Sequence, residues 1–205
     1  MIETQYIHFE GMDLAGKTTA TENFIASQEG VWEIRHNSLI HNNPIYLLAN
    51  ELRLSDAYDA EILGNLYIAA LMVDIRHFQQ PTNNTIQDST ILLRSLAYHT
   101  ISGTPRISQV LLDIIPQHPK FNASFIFTAD LETRLHRLQK RMKYHPDQVA
   151  SDDLMVVKNP EKFMAMEACL IDMAKGIFHS VIIDTSRLTP DAVIGTIKSN
   201  LHDSK

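Results

Sequence analysis

The sequence has a single cysteine and no long hydrophobic run, and each of these deficits excludes a class of protein. Cys169 cannot form an internal disulfide, which excludes a small disulfide-stabilised scaffold and favours a reducing, cytoplasmic location. The longest apolar run is residues 66–73, whereas a bilayer-spanning helix needs roughly 20 apolar residues. The N-terminus has Glu3 and no basic segment before its short apolar stretch, so we expect neither a secretory signal nor a membrane partner.

Basic residues are also few relative to acidic ones. The 18 Lys and Arg residues against 24 Asp and Glu give a net charge of −6, so the molecule lacks the positive field that drives nonspecific nucleic-acid binding. We therefore expect no nucleic-acid partner. The 10 histidines do not fall in His-x₃-His spacing and no Cys-x₂-Cys pair is present, so the sequence does not predict a structural metal site.

The chain also lacks internal repeats, low-complexity tracts and linker-like segments. Its 205 residues, of which 44% are hydrophobic, are enough for one core, so we predict one domain over residues 1–205. Short β-rich segments alternate with longer segments of helical period, which is typical of an α/β domain with a parallel sheet. The β-rich segments are residues 6–9, 31–35, 85–88, 124–128 and 180–184. The predicted helices are residues 17–28, 44–54, 57–80, 94–101, 107–115, 131–143, 160–178 and 190–201.

Two polar segments without a clear period, residues 36–44 and 144–153, are predicted to be mobile loops. Ligands of open α/β sheets bind beyond the carboxyl ends of the strands. Because residues 36–44 directly follow a predicted strand, we expect this loop to lie near a ligand, where loops can act as lids.

The strongest chemical signal directly follows the first predicted strand. The residues Gly11-Met12-Asp13-Leu14-Ala15-Gly16-Lys17-Thr18 match the phosphate-binding pattern G-x-x-x-x-G-K-[ST], known as the P-loop. The glycines let backbone N–H groups approach phosphate oxygens, Lys17 neutralises the β and γ phosphates of ATP during catalysis, and the Thr18 hydroxyl binds Mg²⁺. The predicted ATP-binding residues are Gly11, Ala15, Gly16, Lys17, Thr18 and Thr19.

The residues around this pattern carry a family resemblance. Glu10-Gly11-x-Asp13-x-Ala15-Gly16-Lys17-Thr18-Thr19 resembles the P-loop of the thymidylate kinase family of nucleotide kinases, in which the inner aspartate, here Asp13, contacts the acceptor's sugar. Three later segments follow in the family's order. Asp74-Ile75-Arg76-His77 is similar to its A-D-R-x-x-H, Asp88 to the aspartate of its D-R-Y, and Ala97-Tyr98-His99 to its A-Y-Q.

The resemblance implies a fold, an activity and a set of site residues. The implied fold is α/β, a three-layer P-loop kinase fold with a five-stranded parallel sheet flanked by helices and a lid segment around residues 134–153. The implied activity is transfer of a phosphoryl group from ATP, with Mg²⁺, to a nucleoside monophosphate, with a thymidylate-like acceptor favoured. Asp13, Arg76 and Tyr98 would contact that acceptor, while Asp88 would act in catalysis and hold Mg²⁺ together with Thr18.

The acceptor half of the predicted site departs from the family pattern. Ser89-Thr90 stand where the family has Arg-Tyr, and its R-E-P-G-G-T element is reduced to Arg35-His36-Asn37. Both elements serve the acceptor's phosphate in the family, so we expect Arg35 or Arg94 to replace the missing arginine. Two alternatives stay open: the acceptor is a hydroxyl of a nucleoside or another small molecule, with Asp88 as the base, or the protein binds nucleotides without turnover.

The predicted helix over residues 131–143 carries two stripes. Its apolar stripe, which we predict to be buried, consists of Leu131, Leu135, Leu138 and Met142. Its basic flank, which can face a cleft, consists of Arg134, Arg137 and Arg141. Phosphoryl transfer needs cations that meet the charge of the transferred group, so we predict catalytic roles for Arg137 and Arg141, with a solvated basic flank as the alternative.

The predicted helix over residues 57–80 is apolar on nearly all sides between Leu66 and Phe78. Such a helix lies either deep in the core or in a contact between subunits. The family resemblance favours the second alternative and implies a homodimer.

Overall fold

The computed structural model describes residues 4–55, 57–150 and 152–203, and in these residues it shows a five-stranded sheet. The strand order is β2-β3-β1-β4-β5, which places β1 in the centre. The strands are β1 (Tyr6–Glu10), β2 (Trp32–His36), β3 (Asn84–Asp88), β4 (Ala123–Thr128) and β5 (Val181–Asp184). Each neighbouring pair runs parallel, so the carboxyl ends of the strands form one edge of the sheet.

Helices cover both faces of the sheet and make the three layers that the resemblance implies. The α-helices are α1 (Lys17–Ala26), α2 (Pro44–Leu54), α3 (Ala60–His77), α4 (Ile91–Ile101), α5 (Pro105–Ile114), α6 (Leu131–Tyr144), α7 (Met155–Lys158), α8 (Pro160–Phe178) and α9 (Pro190–Asp203). α1 and α9 pack on one face of the sheet, and α4 and α8 pack on the other. Among the described residues, no helix combines the length and the apolar character that crossing a bilayer requires.

The predicted strands and long helices are confirmed, but several helix ends differ because capping side chains determine them. α4 begins at Ile91, earlier than predicted, since the Thr90 hydroxyl accepts a hydrogen bond from the Leu93 amide at 3.2 Å. α3 begins at Ala60, later than predicted, with Asp59 as its cap. α7 was not predicted because its 4 residues are too few to show a helical period.

The side chains of β1 are apolar on one face of the sheet and polar on the other. Ile7 and Phe9 are fully buried in a core formed with α1 and α9. His8 and Glu10 are equally buried, but the alternation of a strand directs them to the opposite face. A buried charge requires partners, so the helices on that face must supply a cation for Glu10.

The stripe predicted to be buried on α6 is confirmed only in part. Leu138 is buried, and Leu131 and Leu135 pack against the same cluster. The prediction is wrong for Met142, which is 53% exposed, because the end of α6 extends beyond the core. The prediction that Arg134 faces a cleft is also wrong, since this side chain is fully buried.

Candidate active site

The P-loop connects β1 to α1 at the carboxyl edge of the sheet. Gly11 has a φ of 151°, and a Cβ at this position would lie 2.5 Å from the Phe127 carbonyl oxygen, so only glycine lets the loop pass this close to β4. Gly16 has a φ of 86° and directly precedes Lys17, the first residue of α1. The loop therefore presents the N-terminal amides of α1, the positive end of the helix, to the space beside it.

A cavity of about 370 Å³ lies beside these amides, which is within the usual size range of small-molecule sites. The P-loop forms one side of it, and the second half of α6 and the loop after β5 form the others. Predicted site residues that line it are Asp13, Ala15, Gly16, Lys17, Thr18, Thr19, Arg137 and Arg141. The structure thus brings the P-loop residues and the two predicted lid cations together around one space.

Lys17 is held by Asp88, the last residue of β3. Its ammonium group pairs with Oδ1 of Asp88, and Nδ1 of His36 lies 3.0 Å from Oδ2 of the same carboxylate. The Lys17 and Asp88 side chains are only 15% and 14% exposed, whereas His36 is 67% exposed. Asp88 therefore connects the P-loop lysine to the end of β2.

Thr18 and Asp88 fit Mg²⁺ in the type and number of their oxygen atoms. Thr18 lines the cavity one residue after Lys17, to which the Asp88 carboxylate is bonded. Mg²⁺ usually takes one or two protein oxygens and completes its shell with phosphate and water. Among the described residues, no group of three or more His, Cys, Asp or Glu side chains could hold a metal alone.

Arg94 pairs with a buried carboxylate beneath the P-loop. Its Nε donates to Oε1 of Glu10 at 2.9 Å, and its Nη2 donates to the Gly11 carbonyl and, at 3.1 Å, to Oγ of Ser89. Burial alone would raise the pKa of Glu10, but Arg94 and His8 hold that pKa well below its usual range. Arg94 therefore supports the P-loop. Of its three side-chain nitrogen atoms, only Nη1 makes no hydrogen bond to a described residue.

Three other predicted acceptor residues occupy separate positions. Asp13 lines the cavity. Nη1 of Arg35 donates to the Leu39 carbonyl at 2.9 Å, while its buried Nε has no partner among the described residues. Tyr98 lies next to α8, where its ring centroid is 5.6 Å from Nζ of Lys162.

Arg76 is not brought together with the other predicted residues and is exposed in the last turn of α3. Asp74, two positions earlier, is fully buried and accepts hydrogen bonds from the Leu39 amide at 2.8 Å and from Nδ2 of Asn43 at 2.7 Å. Side chains two positions apart on a helix point about 200° from each other. Arg76 therefore faces away from the loop that Asp74 holds.

Arg134 of α6 is part of the interior. It pairs with Glu167 of α8 and donates to the backbone carbonyls of Asp13 and Ala129. Its guanidinium also lies 5.1 Å from the centroid of the Phe163 ring. Arg134 thus fixes the middle of the P-loop to the protein core.

Arg137 and Arg141 reach the cavity and are both bonded to protein groups. Arg137 donates to the Leu14 carbonyl at 2.8 Å and to Oγ1 of Thr185 at 3.0 Å. Nη1 of Arg141 donates to both carboxylate oxygens of Asp153 at 2.8 Å. Arg137 is therefore part of the P-loop support, whereas Arg141 can exchange one anionic partner for another.

Sequence reasoning missed the carboxylates that neutralise these cations. For Glu10 a signal was available, since its alternation with the apolar residues of β1 places it inside the sheet. Asp153 and its neighbour Asp152 lie in a segment without a period. Their partners are Arg141, which is 12 positions away from Asp153, and Arg53, which is 99 positions away from Asp152, and no sequence pattern links residues so far apart.

Comparisons with known proteins bear on the fold. No protein-family model and no curated protein matches the sequence. One similar solved structure is a thymidylate kinase from Candida albicans, with a TM-score of 0.70 and 16% identity over 98% of this chain and 92% of that chain. Another is a thymidylate kinase from Ehrlichia chaffeensis, with a TM-score of 0.63 and 16% identity over 97% of this chain and 98% of that chain. The chain therefore has the fold of the thymidylate kinases.

Proposed function

We propose that this protein, which shares the fold of the thymidylate kinases, transfers the γ-phosphoryl group of ATP to a nucleoside monophosphate, with a thymidylate-like acceptor as the first candidate. The observation that carries the proposal is the cavity in which the P-loop faces Arg137 and Arg141. Backbone amides and Lys17 bind a polyphosphate in such a cavity, and arginines on its far side meet the charge of the transferred group. The fold supports a nucleotide as the acceptor.

Catalysis in this site depends on positioning and charge. When ATP binds, Lys17 exchanges the Asp88 carboxylate for the β and γ phosphates, and Arg141 exchanges Asp153 for the γ phosphate. Arg137 needs no such exchange, because the P-loop backbone already fixes it. Mg²⁺, held by Thr18 and Asp88, would supply further neutralisation of the phosphate charge.

A monophosphate acceptor is supported by the remaining donor capacity of Arg94. Its side chain is 30% exposed, and Nη1 makes no hydrogen bond to any described residue. The phosphate of the acceptor is already ionised and needs no base, so a fixed guanidinium next to the P-loop is the group that its binding requires.

A hydroxyl acceptor is the second candidate, and the engagement of Arg94 by Glu10 is the observation that favours it. A neutral acceptor has no phosphate for an arginine to bind. Transfer to a hydroxyl therefore does not require Arg94 to be free of its bonds to Glu10 and the P-loop. A hydroxyl group must lose a proton during transfer. Asp88, at the end of β3, is the carboxylate in place to accept it.

The release of ADP with a panel of acceptors tests both candidates. We expect turnover with thymidylate or another nucleoside monophosphate, and none with the matching nucleosides. Turnover with a nucleoside alone would establish the second candidate. If ATP binds but no acceptor releases ADP, both candidates fail and the protein is a nucleotide-binding module.

We also propose that the protein forms a homodimer through α2 and α3. Both helices carry large apolar side chains on the outside of the molecule, among them Leu47, Leu54, Ile62 and Met72, which are between 46% and 60% exposed. Exposed apolar residues in such numbers on neighbouring helices are typical of an interface. Sedimentation velocity should show a particle of twice the chain's mass, and a Leu47→Glu variant should shift it toward the monomer.

A further inference from the structure

His8 lies in the middle of the sheet, on the polar face of β1, and phosphoryl transfer from ATP does not use it directly. The residue is fully buried. Its ring stacks on Phe121, with centroids 4.7 Å apart and 15° between the ring planes, and meets Phe178 at a steep angle with centroids 5.3 Å apart. In such apolar surroundings the ring nitrogens of a histidine require partners.

A chain of two serine hydroxyls assigns a proton to one ring nitrogen of His8. Oγ of Ser180 donates its single proton to the Ala174 carbonyl at 3.0 Å. Oγ of Ser124 lies 2.6 Å from Oγ of Ser180, so Ser124 must be the donor in that contact. Ser124 then has no proton left for His8, whose Nδ1 lies 2.8 Å from the same hydroxyl. Nδ1 is therefore the donor and carries a proton.

The second ring nitrogen of His8 faces the carboxylate of Glu10. Nε2 lies 3.7 Å from Oε2 of Glu10, and it makes no hydrogen bond to a described residue. Both side chains are fully buried, so charge between them is poorly screened. A bare Nε2 would turn its lone pair toward a negative carboxylate, whereas a protonated Nε2 brings a positive charge toward it. Because Nδ1 already carries a proton, the favourable arrangement makes His8 an imidazolium cation.

The surroundings of His8 favour a cation at this position. The face of an aromatic ring, here Phe121, attracts a positive charge. The second buried histidine of the cluster, His118, adds no charge of its own, because burial lowers its pKa to about 4. The Nδ1 atom of His118 lies 2.8 Å from the Pro119 carbonyl oxygen. The two histidines thus differ in charge because His8 faces a carboxylate and His118 faces a carbonyl group.

The Glu10 carboxylate connects His8 to the P-loop. Oε1 of Glu10 accepts hydrogen bonds from the Gly11 amide and from Nε of Arg94, both at 2.9 Å. Oε2 accepts a longer bond from the Thr90 amide at 3.3 Å and faces His8. A positive charge on His8 therefore fixes Oε2 on the side away from Gly11, and the orientation of the whole carboxylate keeps Oε1 on the first amide of the P-loop.

We propose that His8 is a positioning residue of the ATP site: as a buried imidazolium it orients the Glu10 carboxylate, which holds the Gly11 amide and Arg94. The role in ATP binding rests on the proposed function, because it concerns the phosphoryl donor of that transfer. The charge of His8 depends on the serine chain and Glu10 and needs no ligand.

Nitrogen-15 NMR of the full chain, labelled at histidine, tests the charge without any ligand. The signals of His8 are those that disappear in His8→Leu, and those of His118 disappear in His118→Leu. At neutral pH we expect His8 to show two protonated ring nitrogens, and His118 to show one protonated and one bare nitrogen. A bare Nε2 in His8 would overturn the inference.

Calorimetric titration with ATP tests the positioning role. His8→Leu removes the charge and leaves the Ser124 hydroxyl bonded to Ser180, so we expect a folded protein whose Kd for ATP is about ten-fold higher. His8→Gln returns an N–H donor toward Glu10 and should bind ATP within about three-fold of the unaltered protein. A role in packing alone predicts the reverse order, because leucine suits the aromatic surroundings better than glutamine.

His118→Leu is the matched control. It makes the same substitution in the same cluster, since the His118 ring lies 5.7 Å from that of Phe121 and 5.0 Å from that of Phe178. We expect its Kd for ATP to stay within about two-fold of the unaltered value. Melting temperatures show which variants are folded, and if His8→Leu unfolds, the same comparison is made with His8→Met and His118→Met.

Three binding results would overturn the inference: an unchanged Kd in His8→Leu, tighter binding by His8→Leu than by His8→Gln, and an equal loss in His118→Leu. If ADP is released with an acceptor while the Kd does not respond to His8, the inference fails and the proposed function stands. If the unaltered protein binds no ATP, the proposed function fails and the positioning role fails with it, whereas the nitrogen signals still decide the charge of His8.

Discussion

The two halves of the proposed site are built in different ways. The ATP half consists of consecutive residues, because the P-loop joins β1 to α1 and its backbone binds the ligand. The acceptor half depends on side-chain pairs between distant elements, such as Glu10 with Arg94, and a pair of the same kind, Arg53 with Asp152, joins α2 to the lid segment. A mutation in the first half should therefore remove a function and leave the fold intact, whereas mutations in the second should often affect both.

The largest effect is expected at Lys17, where a substitution tests whether the ATP half can lose its function without loss of the fold. Lys17→Ala removes the charge that neutralises the β and γ phosphates, so kcat should fall by about three orders of magnitude while the melting temperature changes little. The matched control is Lys198→Ala, because Lys198 bonds the Ser27 carbonyl near the other end of α1 at 3.1 Å. Normal turnover in a folded Lys17→Ala protein would disprove the assignment of the P-loop.

A substitution of Arg94 tests whether the acceptor half loses stability together with its function. Arg94→Ala leaves the Glu10 carboxylate buried without its partner, which should cost about 3–5 kcal/mol of unfolding free energy. The variant should therefore lose activity with any acceptor, phosphate or hydroxyl. Denaturant unfolding measures the cost, and the double variant Glu10→Gln with Arg94→Ala should recover part of it because no buried charge remains. Full stability of Arg94→Ala would show that the pair does not support the loop.

The same pair predicts a dependence of stability on pH. The pKa of Glu10 is lower in the folded chain than in the unfolded chain, so the pair stabilises the protein above the unfolded value, about 4.3, and this contribution is lost as the pH falls below it. The difference in unfolding free energy between the unaltered protein and Glu10→Gln should therefore shrink between about pH 5 and pH 3. A difference that stays constant over this range would contradict the assignment.

Arg141 is expected to show a moderate effect confined to catalysis. Arg141→Ala should lower kcat by about ten- to a hundred-fold and raise the KM for ATP less, because this arginine meets charge on the transferred group. Lys140→Ala, one position earlier and exposed, is the control and should behave like the unaltered protein. A change in melting temperature with normal kinetics would show that Arg141 has no catalytic role and belongs to a solvated basic flank.

The smallest effect is expected at Arg76. Because its side chain is exposed and faces away from the loop held by Asp74, Arg76→Ala should change the acceptor KM by less than about two-fold. Arg35→Ala should change it more, since Arg35 bonds the Leu39 carbonyl in the same loop at 2.9 Å. A large rise in KM for Arg76→Ala alone would place the acceptor against the end of α3.

The contrast between the two halves also explains what the sequence could predict. The strands and the P-loop were predicted because period and glycine spacing are local properties, and the structure confirms the strands. The burial of Arg134 was not predicted, because helical period gives the direction of a side chain around the helix and not how deeply it is buried. Glu167 of α8 pairs with Arg134 in the interior. The prediction that Met142 is buried was wrong for a related reason, since the apolar stripe continues along α6 beyond the end of the core.

The partners of the cations could not be predicted by the same means. A cationic partner for Glu10 could have been predicted, because a charged residue at a buried strand position requires a cation from a neighbouring helix. The contact between Arg53 and Asp152 depends on how α2 and the lid segment pack together, which no local pattern encodes. The ATP half of the site could thus be derived from the chain's order, and the acceptor half only from its packing.

Asp152 and Asp153 are adjacent, yet they bind arginines of different helices. Because neighbours in the chain cannot separate, this part of the lid segment can lift only if both ion pairs break together. Pairs of this kind contribute up to about 1 kcal/mol each, so together they favour the contact of this segment with both helices by up to about 30-fold. At 1 M salt the screening length is about 3 Å, which weakens the pair of Arg53 with the exposed Asp152 more than the pair of Arg141 with the buried Asp153. The attachment of this segment to α2 should therefore loosen as the ionic strength of the solution rises, while its attachment to α6 persists.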